Sequence, residues 1–330
     1  MSNNFPRLIA DIGGTNARLS IETANFKYEH QIVLPCKQFN SLVEIINYYL
    51  NETKLTNKIL AVSLALPAPE FADIVSMVNS PWQSFSISKI KEQLGIKNFI
   101  ILNDWHALAL SIPFINKTEL VQVGGLSEPD DRKPIAAIGP GTGLGMASLL
   151  KTPKNEYFAI PAEGGRSSFP PVNEEELELW KFAHKRFSHV SAERFLSGPG
   201  LQLIYEGLCE IHDRKILSLP NPKEISKYGI DGSCFISQKT INIFCGMLGT
   251  VASNLAVMIN SFGGFYIGGG IVPQMLDFFL KSNFRSRFED KGRYRPFLVQ
   301  MPVFVIMNEF PAFLGASYAL DTYLNKNYIP

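Results

Sequence analysis

The chain has 330 residues, of which 46% are hydrophobic and 18% are charged. That length and composition describe a folded protein with room for two domains, and they exclude a disordered chain. Lys and Arg number 31 against 30 Asp and Glu residues, so the net charge is only +1. Because no basic block interrupts this balance, nucleic acid and anionic membranes are not expected as partners.

The cysteines give a second exclusion. Cys36, Cys209, Cys234 and Cys245 form no C-x-x-C pair and have no histidine cluster beside them. Such isolated thiols are typical of a reducing cytoplasm, not of a disulfide framework or a zinc site. The first residues lack the apolar core of a signal peptide, and the apolar stretch 251–272 carries polar residues and five glycines. We therefore expect a cytoplasmic protein without a membrane span.

Strand and helix signals alternate along the chain. In the first part, hydrophobic spacing predicts strands at 8–11, 17–22, 30–34, 59–66 and 99–102, and helices at 42–50 and 87–94, the second stopped by Gly95.

The second part repeats this pattern. It predicts strands at 135–138, up to about Leu150, at 264–267 and at 303–306, and helices from a capping box at Asn173 and Glu176, at 239–260, from Pro273 and at 312–324. The halves share a plan of strand, glycine turn, strand, then helices and further strands. This mixture predicts an α/β protein with two lobes.

The stretch from Asp11 to Arg18 is the most informative. Its two glycines lie between predicted strands and can turn backbone N–H groups toward an anion. A threonine hydroxyl and a guanidinium would add donors for phosphate, and Asp11 suits a hydrated Mg²⁺ beside a triphosphate. A ligand-free tight hairpin is the alternative. The candidate residues are Asp11, Gly13, Gly14, Thr15, Asn16 and Arg18.

Two further glycine-rich turns follow predicted strands. The run from Gly139 to Gly145 has four glycines in seven residues, which lets a backbone wrap closely around an anion. It matches neither the P-loop nor the dinucleotide fingerprint. The turn Gly268-Gly269-Gly270 before Pro273 predicts a flat surface open to a planar ring. A plain turn is the alternative for each. The candidate residues are Gly139, Gly141, Thr142, Gly143, Gly269 and Gly270.

Polar residues at strand ends and in loops add a second set of candidates. Asn103-Asp104 follows a predicted strand, where a carboxylate can accept a proton from a hydroxyl and an amide can bind hydroxyls. The alternative is a helix cap by Asp104. Glu163 and Glu193 have the carboxylates that commonly hold the vicinal hydroxyls of a sugar, although exposed glutamates of no function are commoner.

In their order along the chain and in their residue patterns, these segments resemble the bacterial glucokinases of the hexokinase, actin and Hsp70 superfamily. Residues 11–18 are similar to the first phosphate motif, residues 139–145 to the second, and residues 264–273 to the adenosine motif. The strings at 196–200 and 288–293 also resemble the family. The resemblance runs from Asp11 to Gly315, nearly the whole chain.

The resemblance implies a two-lobed, actin-like (ribonuclease H-like) α/β fold with the active site in the interdomain cleft. The small domain would comprise 1–113 and 308–330, and the large domain 114–307. It implies phosphorylation of the 6-hydroxyl of a hexose by ATP with Mg²⁺, and glucose is the expected sugar. It also implies a homodimer. Asp104 would be the general base, Asp11 would hold Mg²⁺ through water, and the sugar hydroxyls would be bound by Asn79, Asn103, Glu163 and Glu193.

Two departures from the family pattern leave the identity of the sugar open. Arg166 stands where the family usually has a sugar-contacting histidine, and a guanidinium is longer, charged and donor-only. The segment from Pro67 to Asp73 is also altered, with extra residues and no glycine. Another hexose, an amino sugar, or a sugar- or nucleotide-sensing protein of low turnover are the alternatives. Arg166 itself is expected to contact the sugar.

Overall fold

The computed structural model describes residues 5–67, 73–77 and 80–326. Its strands are β1 (Arg7–Ile12), β2 (Asn16–Ala24), β3 (Lys27–Pro35), β4 (Ala61–Leu66), β5 (Ile74–Val75), β6 (Phe85–Ser86), β7 (Asn98–Asn103), β8 (Leu120–Gly124), β9 (Ile135–Pro140), β10 (Leu144–Lys151), β11 (Tyr157–Ala162), β12 (Phe265–Ile267) and β13 (Val303–Ile306).

Its α-helices are α1 (Leu42–Glu52), α2 (Ile87–Leu94), α3 (Asp104–Ser111), α4 (Glu174–His184), α5 (Ala192–Phe195), α6 (Gly198–Ile211), α7 (Pro222–Ile230), α8 (Phe235–Ile259), α9 (Ile271–Gln274), α10 (Leu276–Lys281), α11 (Phe284–Glu289), α12 (Arg295–Gln300) and α13 (Pro311–Lys326). They divide between two compact units. The first unit comprises Met1–Asn116 and Asn308–Pro330, and the second comprises Lys117–Met307.

The first unit is built on a five-stranded sheet of order β3-β2-β1-β4-β7. β1, β4 and β7 are parallel, whereas β1, β2 and β3 form antiparallel hairpins. Every residue of β4 is buried, because helices cover a parallel strand on both faces. Asp11 is in register with Ala65, and Ala65 with Leu102. Asp11 and the start of α3 therefore lie at the carboxyl ends of parallel strands in one sheet. They are about 10 Å apart, because two strand-to-strand spacings separate them.

Helix α13 returns the end of the chain to the first unit. Asp321 Oδ1 lies 2.7 Å from Nη1 of the buried Arg7, and Tyr28 shares a 2.9 Å hydrogen bond with Ser317. Helix α13 also packs closely on α3, because a Cβ at Gly315 would overlap the backbone carbonyl of Ala107. The unit is thus closed by residues from both ends of the chain.

The second unit is built on a six-stranded sheet of order β11-β10-β9-β12-β13-β8. β9, β12 and β13 are parallel, and β9, β10 and β11 form hairpins. Its core includes α8, which by length and composition alone could cross a membrane. The most apolar window of α8 is 72% buried inside the protein, as expected of a core helix.

The two sheets share the topology of five strands. In each, two hairpin strands lie on one side of the first parallel strand and two further parallel strands lie on its other side, and the second sheet adds β8, antiparallel to β13. The repeated plan predicted from the sequence is therefore present. Helix α2 and strand β13 have the predicted bounds. The helix predicted to begin at Pro273 was placed wrongly: α9 begins at Ile271, and Pro273 lies in its first turn, where no backbone N–H is needed.

The close packing of α13 on α3 gives a stability prediction. Gly315→Ala should lower the free energy of unfolding by about 1–3 kcal/mol, since the added methyl overlaps backbone and cannot rotate away. Urea unfolding measures this change. The control is Gly141→Ala, whose Cβ would meet no heavy atom within 4 Å. Equal stabilities for the two variants would contradict the packing described.

Candidate active site

The first glycine turn joins β1 to β2 and is fixed by backbone contacts. Gly13 N donates to Asn16 O at 2.9 Å, and Cys36 N donates to Thr15 O at 2.9 Å. β1 and β2 do form the tight hairpin of the alternative interpretation, and neither Gly13 nor Gly14 has the positive φ of a type I′ turn. A Cβ on Gly13 would lie 3.7 Å from Asn16 O, an ordinary contact. The protein's own packing therefore does not explain this glycine, whereas a closely approaching ligand would.

Asp11 and Arg18 face each other across this hairpin. They are register partners, and Arg18 Nη1 lies 3.1 Å from Asp11 Oδ2. Burial raises the pKa of the Asp11 carboxyl above its usual range, and the Arg18 guanidinium only partly offsets that effect. About a fifth of the Asp11 side chain, 22%, is still exposed. A desolvated yet accessible carboxylate of this kind favours a second nearby cation.

The position of Asp11 suits a Mg²⁺ ion whose other ligands are waters and substrate phosphates. Among the described residues, no group of three or more His, Cys, Asp or Glu side chains could hold a metal ion alone. Mg²⁺ commonly keeps several waters and takes its other ligands from one or two carboxylates and substrate phosphates. Asp11 at a turn able to receive phosphate meets that requirement.

The structure corrects the cap that the sequence suggested for α3. The N-cap is Asn103, whose Oδ1 accepts from Trp105 N at 2.9 Å and His106 N at 3.2 Å. Asp104 is the first helical residue, and its Oδ1 accepts from Trp105 N at 2.9 Å. Its carboxylate lies where the helix dipole favours negative charge. The start of the helix therefore accounts for the oxygen of Asn103 and also gives the acid at position 104 a structural role.

In the second unit, the other two glycine turns meet. Gly268 N donates to Ile138 O at 2.8 Å, which ties the turn after β12 to the end of β9. Gly269 has φ +76°, and a Cβ there would lie 2.5 Å from Pro140 O. Thr142, Gly269 and Gly270 are exposed. The candidate nucleotide residues of this unit are therefore adjacent.

Gly141 and Gly143 differ in what surrounds them. A Cβ on Gly141 would meet nothing within 4 Å, so this protein leaves open a space that a methyl would fill. A Cβ on Gly143 would instead lie 2.5 Å from Glu193 Oε2. Space for a bound phosphate can explain glycine at 141, whereas the Glu193 carboxylate already explains glycine at 143.

Three candidate sugar ligands also come together in this unit. Arg166 Nε donates to Glu163 Oε2 at 3.1 Å, and Arg166 Nη1 lies 3.9 Å from Glu193 Oε1. Glu163 and Arg166 are largely exposed, at 75% and 62% of their side-chain surfaces, and Glu193 is 33% exposed. Arg166 thus bridges two carboxylates, and the three side chains carry one net negative charge.

Sequence reasoning missed the groups that hold Glu193 in place. Leu144 N donates to Glu193 Oε2 at 3.0 Å, and Ser197 Oγ donates to the Glu193 carbonyl at 2.8 Å. Ser197 also caps α6 by accepting from Gly200 N at 3.1 Å. The Ser-Gly-Pro string is a helix-start signal, so the cap could have been predicted. The contact with Leu144, 49 residues earlier, could not.

The first unit leaves one candidate undescribed. Asn79 lies outside the described residues, as does most of the altered segment 67–73. Asp73 is described, and its carboxylate accepts from Ser86 Oγ at 2.7 Å and Ser88 N at 2.8 Å at the start of α2. These hydrogen bonds lower the pKa of Asp73 below its usual range. Asp73 is thus engaged in starting a helix.

Comparison with known proteins identifies the family. A family model described as Glucokinase matches residues 8–323. A glucokinase of Neisseria meningitidis serogroup C is 44% identical over 322 residues, covering 98% of this chain and 97% of that protein. One of Helicobacter pylori strain J99 is 40% identical over 330 residues, covering 98% of each. This chain belongs to the glucokinase family.

Solved structures agree. A glucokinase from an Antarctic psychrotroph superimposes with a TM-score of 0.84 at 32% identity, covering 96% of this chain and 99% of that one. The Balamuthia mandrillaris glucokinase, solved with glucose, has a TM-score of 0.78 at 17% identity and covers 95% of this chain and 92% of that one. The predicted family and the predicted actin-like α/β fold are confirmed.

The environments of two carboxyls give a pH prediction. Asp11 should titrate above the usual aspartate range and Asp73 below it, which carboxyl NMR resolves in one experiment. In Arg18→Met, the pKa of Asp11 should rise further, because the offsetting guanidinium is gone, while Asp73 stays unchanged. Titration of both carboxyls in the usual range would contradict the environments described.

The stability consequence of Asp11 has a definite sign. Since the folded state holds this proton more tightly than the unfolded chain, the free energy of unfolding should fall as pH rises from the usual aspartate range to the raised pKa. Asp11→Asn should remove this dependence, which unfolding at several pH values measures. A wild-type contribution of opposite sign over that window would contradict the assignment.

Proposed function

We propose that this protein transfers the γ-phosphoryl group of ATP to the 6-hydroxyl of glucose. The observation that carries the proposal is family membership over residues 8–323, with 44% identity to a glucokinase across nearly both full chains. The site geometry supports it independently, because a glycine turn with open space at Gly141 lies directly against the Glu193 carboxylate, which is suited to sugar hydroxyls.

For ATP, we assign the phosphates to the turns whose glycines leave room for close approach. In the first unit, backbone N–H groups of Gly14 to Asn16 would bind phosphate oxygens together with the Thr15 hydroxyl and the Arg18 guanidinium, and Gly13, whose N–H donates to Asn16 O, would leave room for the phosphate. In the second unit, the turn at Gly139–Gly143 would bind phosphate. The exposed turn Gly269–Gly270 would lie beside the nucleoside. A glucokinase of Streptomyces griseus, solved with glucose and AMPPNP, shares this fold at 17% identity and a TM-score of 0.66.

Asp11 is proposed to hold Mg²⁺ through water. When bound, the ion would screen the negative charge of the phosphates. Asp11 contributes a carboxylate kept at the turn by its 3.1 Å contact with Arg18. Because burial raises its pKa, a cation nearby favours its charged form.

Asp104 is proposed as the general base. It would accept the proton of the sugar 6-hydroxyl as that oxygen attacks the γ-phosphorus and ADP leaves. Such transfers depend mainly on positioning and charge stabilisation, and a well-placed base adds to them. The rigid start of α3 and its Asn103 cap fix the backbone that carries this carboxylate.

The remaining sugar hydroxyls are assigned to amides and carboxylates. Asn103 would meet a hydroxyl through its amide nitrogen, because two helix N–H groups use its oxygen. Glu163 and Glu193 would accept from hydroxyls, and Asn79 is included in the proposal on the strength of the resemblance. Arg166 would contact the sugar while bridging the two glutamates.

The charge of this cluster disfavours an anionic sugar. Arg166 is paired with two carboxylates, so the three side chains together are net negative and do not form a site for an anionic sugar. The departure from the family histidine therefore changes the hydroxyl donors without inverting the charge. This supports glucose over anionic hexose derivatives.

We also propose that the protein works in the cytoplasm as a homodimer. The four cysteines are free thiols, as is usual in a reducing compartment. The dimer is inferred from the family resemblance, and sedimentation equilibrium distinguishes a protomer of 36.8 kDa from twice that mass.

The general base gives a kinetic prediction. Asp104→Asn should lower kcat by about 10²–10⁴-fold, because the amide cannot accept the hydroxyl proton. Glucose affinity, measured by calorimetry, should change much less. The Asn103 cap is retained, so circular dichroism and thermal unfolding should match the wild type. Near-normal turnover by the folded variant would contradict the assignment.

Arg166 gives a selectivity prediction. Arg166→His should change the ratio of kcat/KM for glucose over mannose by about tenfold, because the shorter imidazole cannot span Glu163 and Glu193 and offers different hydrogen bonds. The measurement compares glucose, mannose, glucosamine and one anionic sugar at constant salt. Arg186→His is a control at an arginine paired with Glu206, a residue outside the proposed site. An unchanged profile in Arg166→His would show that Arg166 does not read the sugar.

A further inference from the structure

The two carboxylate oxygens of Glu193 have different partners. Oε2 accepts from Leu144 N at 3.0 Å, immediately after the second glycine turn. Oε1 lies 3.9 Å from Arg166 Nη1, next to Glu163. One side chain thus connects the phosphate turn with the cluster assigned to the sugar.

The contact with the turn is close as well as hydrogen-bonded. A Cβ on Gly143 would lie 2.5 Å from Glu193 Oε2 and 3.2 Å from Glu193 Cδ. The carboxylate therefore lies against the backbone of the turn, and a methyl group at position 143 would have to displace it. A hydrogen bond from a backbone N–H to a carboxylate is among the stronger kinds in proteins.

The backbone around Glu193 is attached to the same turn at a second point. Gly198 N donates to Gly141 O at 2.8 Å, and Ser197 Oγ donates to Glu193 O at 2.8 Å. The segment 193–198 and the turn 141–144 are therefore held together at both ends. A shift of the Glu193 side chain would therefore act directly on the part of the turn next to Leu144.

We propose that Glu193 is a positioning residue for ATP: its carboxylate sets the conformation of residues 141–144 that receives phosphate. The proposal deepens the proposed function and rests on it for the sugar and nucleotide roles of these residues. Because coupling between two ligands is reciprocal, occupation of the sugar site through Glu193 would also change ATP affinity, and the reverse.

Glu163 provides the matched comparison. It has the same charge and the same Arg166 partner, but its side-chain hydrogen bond among the described residues is to Arg166, and no described contact joins it to the turn. A purely electrostatic effect on ATP would appear at both glutamates. A positioning effect through Leu144 would appear only at Glu193.

The first test measures ATP affinity without sugar, by calorimetry with ATP and MgCl₂. Glu193→Ala should weaken ATP binding about tenfold, the value of one charged hydrogen bond. Glu193→Gln should stay within about threefold of the wild type, since its amide oxygen can accept from Leu144 N. Glu163→Ala should leave ATP affinity unchanged.

The second test reverses the direction. Gly143→Ala should weaken glucose binding several-fold by displacing Glu193, whereas Gly141→Ala, with open space around its Cβ, should not. In the Glu193→Ala background, Gly143→Ala should have no further effect on glucose affinity, because the overlapping carboxylate is absent.

The outcomes separate this inference from the proposed function. Equal ATP affinity in Glu193→Ala and the wild type, or equal losses in Glu193→Ala and Glu163→Ala, would overturn the positioning role. Should Glu193→Ala not fold, the Gly143→Ala and Gly141→Ala pair decides, and equal glucose affinities there would also overturn it. Failure of the wild type to bind or phosphorylate glucose would instead refute the proposed function, while the ATP measurements would still decide the role of Glu193.

Discussion

The register of parallel strands is the constraint on which the chemistry of the first unit depends. Asp11 is in register with Ala65, and Ala65 with Leu102, so the carboxyl ends of β1 and β7 reach the same edge of one sheet. A shift of one residue would turn each side chain to the opposite face. The acid proposed to hold Mg²⁺ and the acid proposed as general base therefore owe their common location to the sheet.

The second unit repeats the topology but uses its glycine turn differently. Its turn between β9 and β10 is braced by groups distant in the sequence, the Glu193 carboxylate and the Gly198 N–H. The corresponding turn of the first unit is braced by Cys36, at the end of the neighbouring strand β3. The shared plan thus supplies the two turns proposed to bind phosphate, and the second is tied directly to Glu193, a side chain proposed to bind the sugar.

Local features could be predicted from the sequence, and long-range contacts could not. The β1–β2 hairpin, helix α2 and its Gly95 stop follow from spacing and from a glycine with φ +64°. Asn103 and Asp104 can both cap a helix, and the cap interpretation named Asp104 where the structure has Asn103. From the sequence, glycine at 143 was expected to leave space for a ligand. The structure shows that it leaves space for Glu193, which is fifty residues away in the sequence and lies beside it only in the folded chain.

Transfer of the γ-phosphoryl group of ATP to the 6-hydroxyl of glucose can be observed by phosphorus NMR of the purified protein with ATP, MgCl₂ and glucose. The spectrum identifies the product and counts the ADP formed. We expect one glucose 6-phosphate for each ADP and little ADP when glucose is omitted. Phosphate at another hydroxyl, or ADP release that does not depend on glucose, would contradict it.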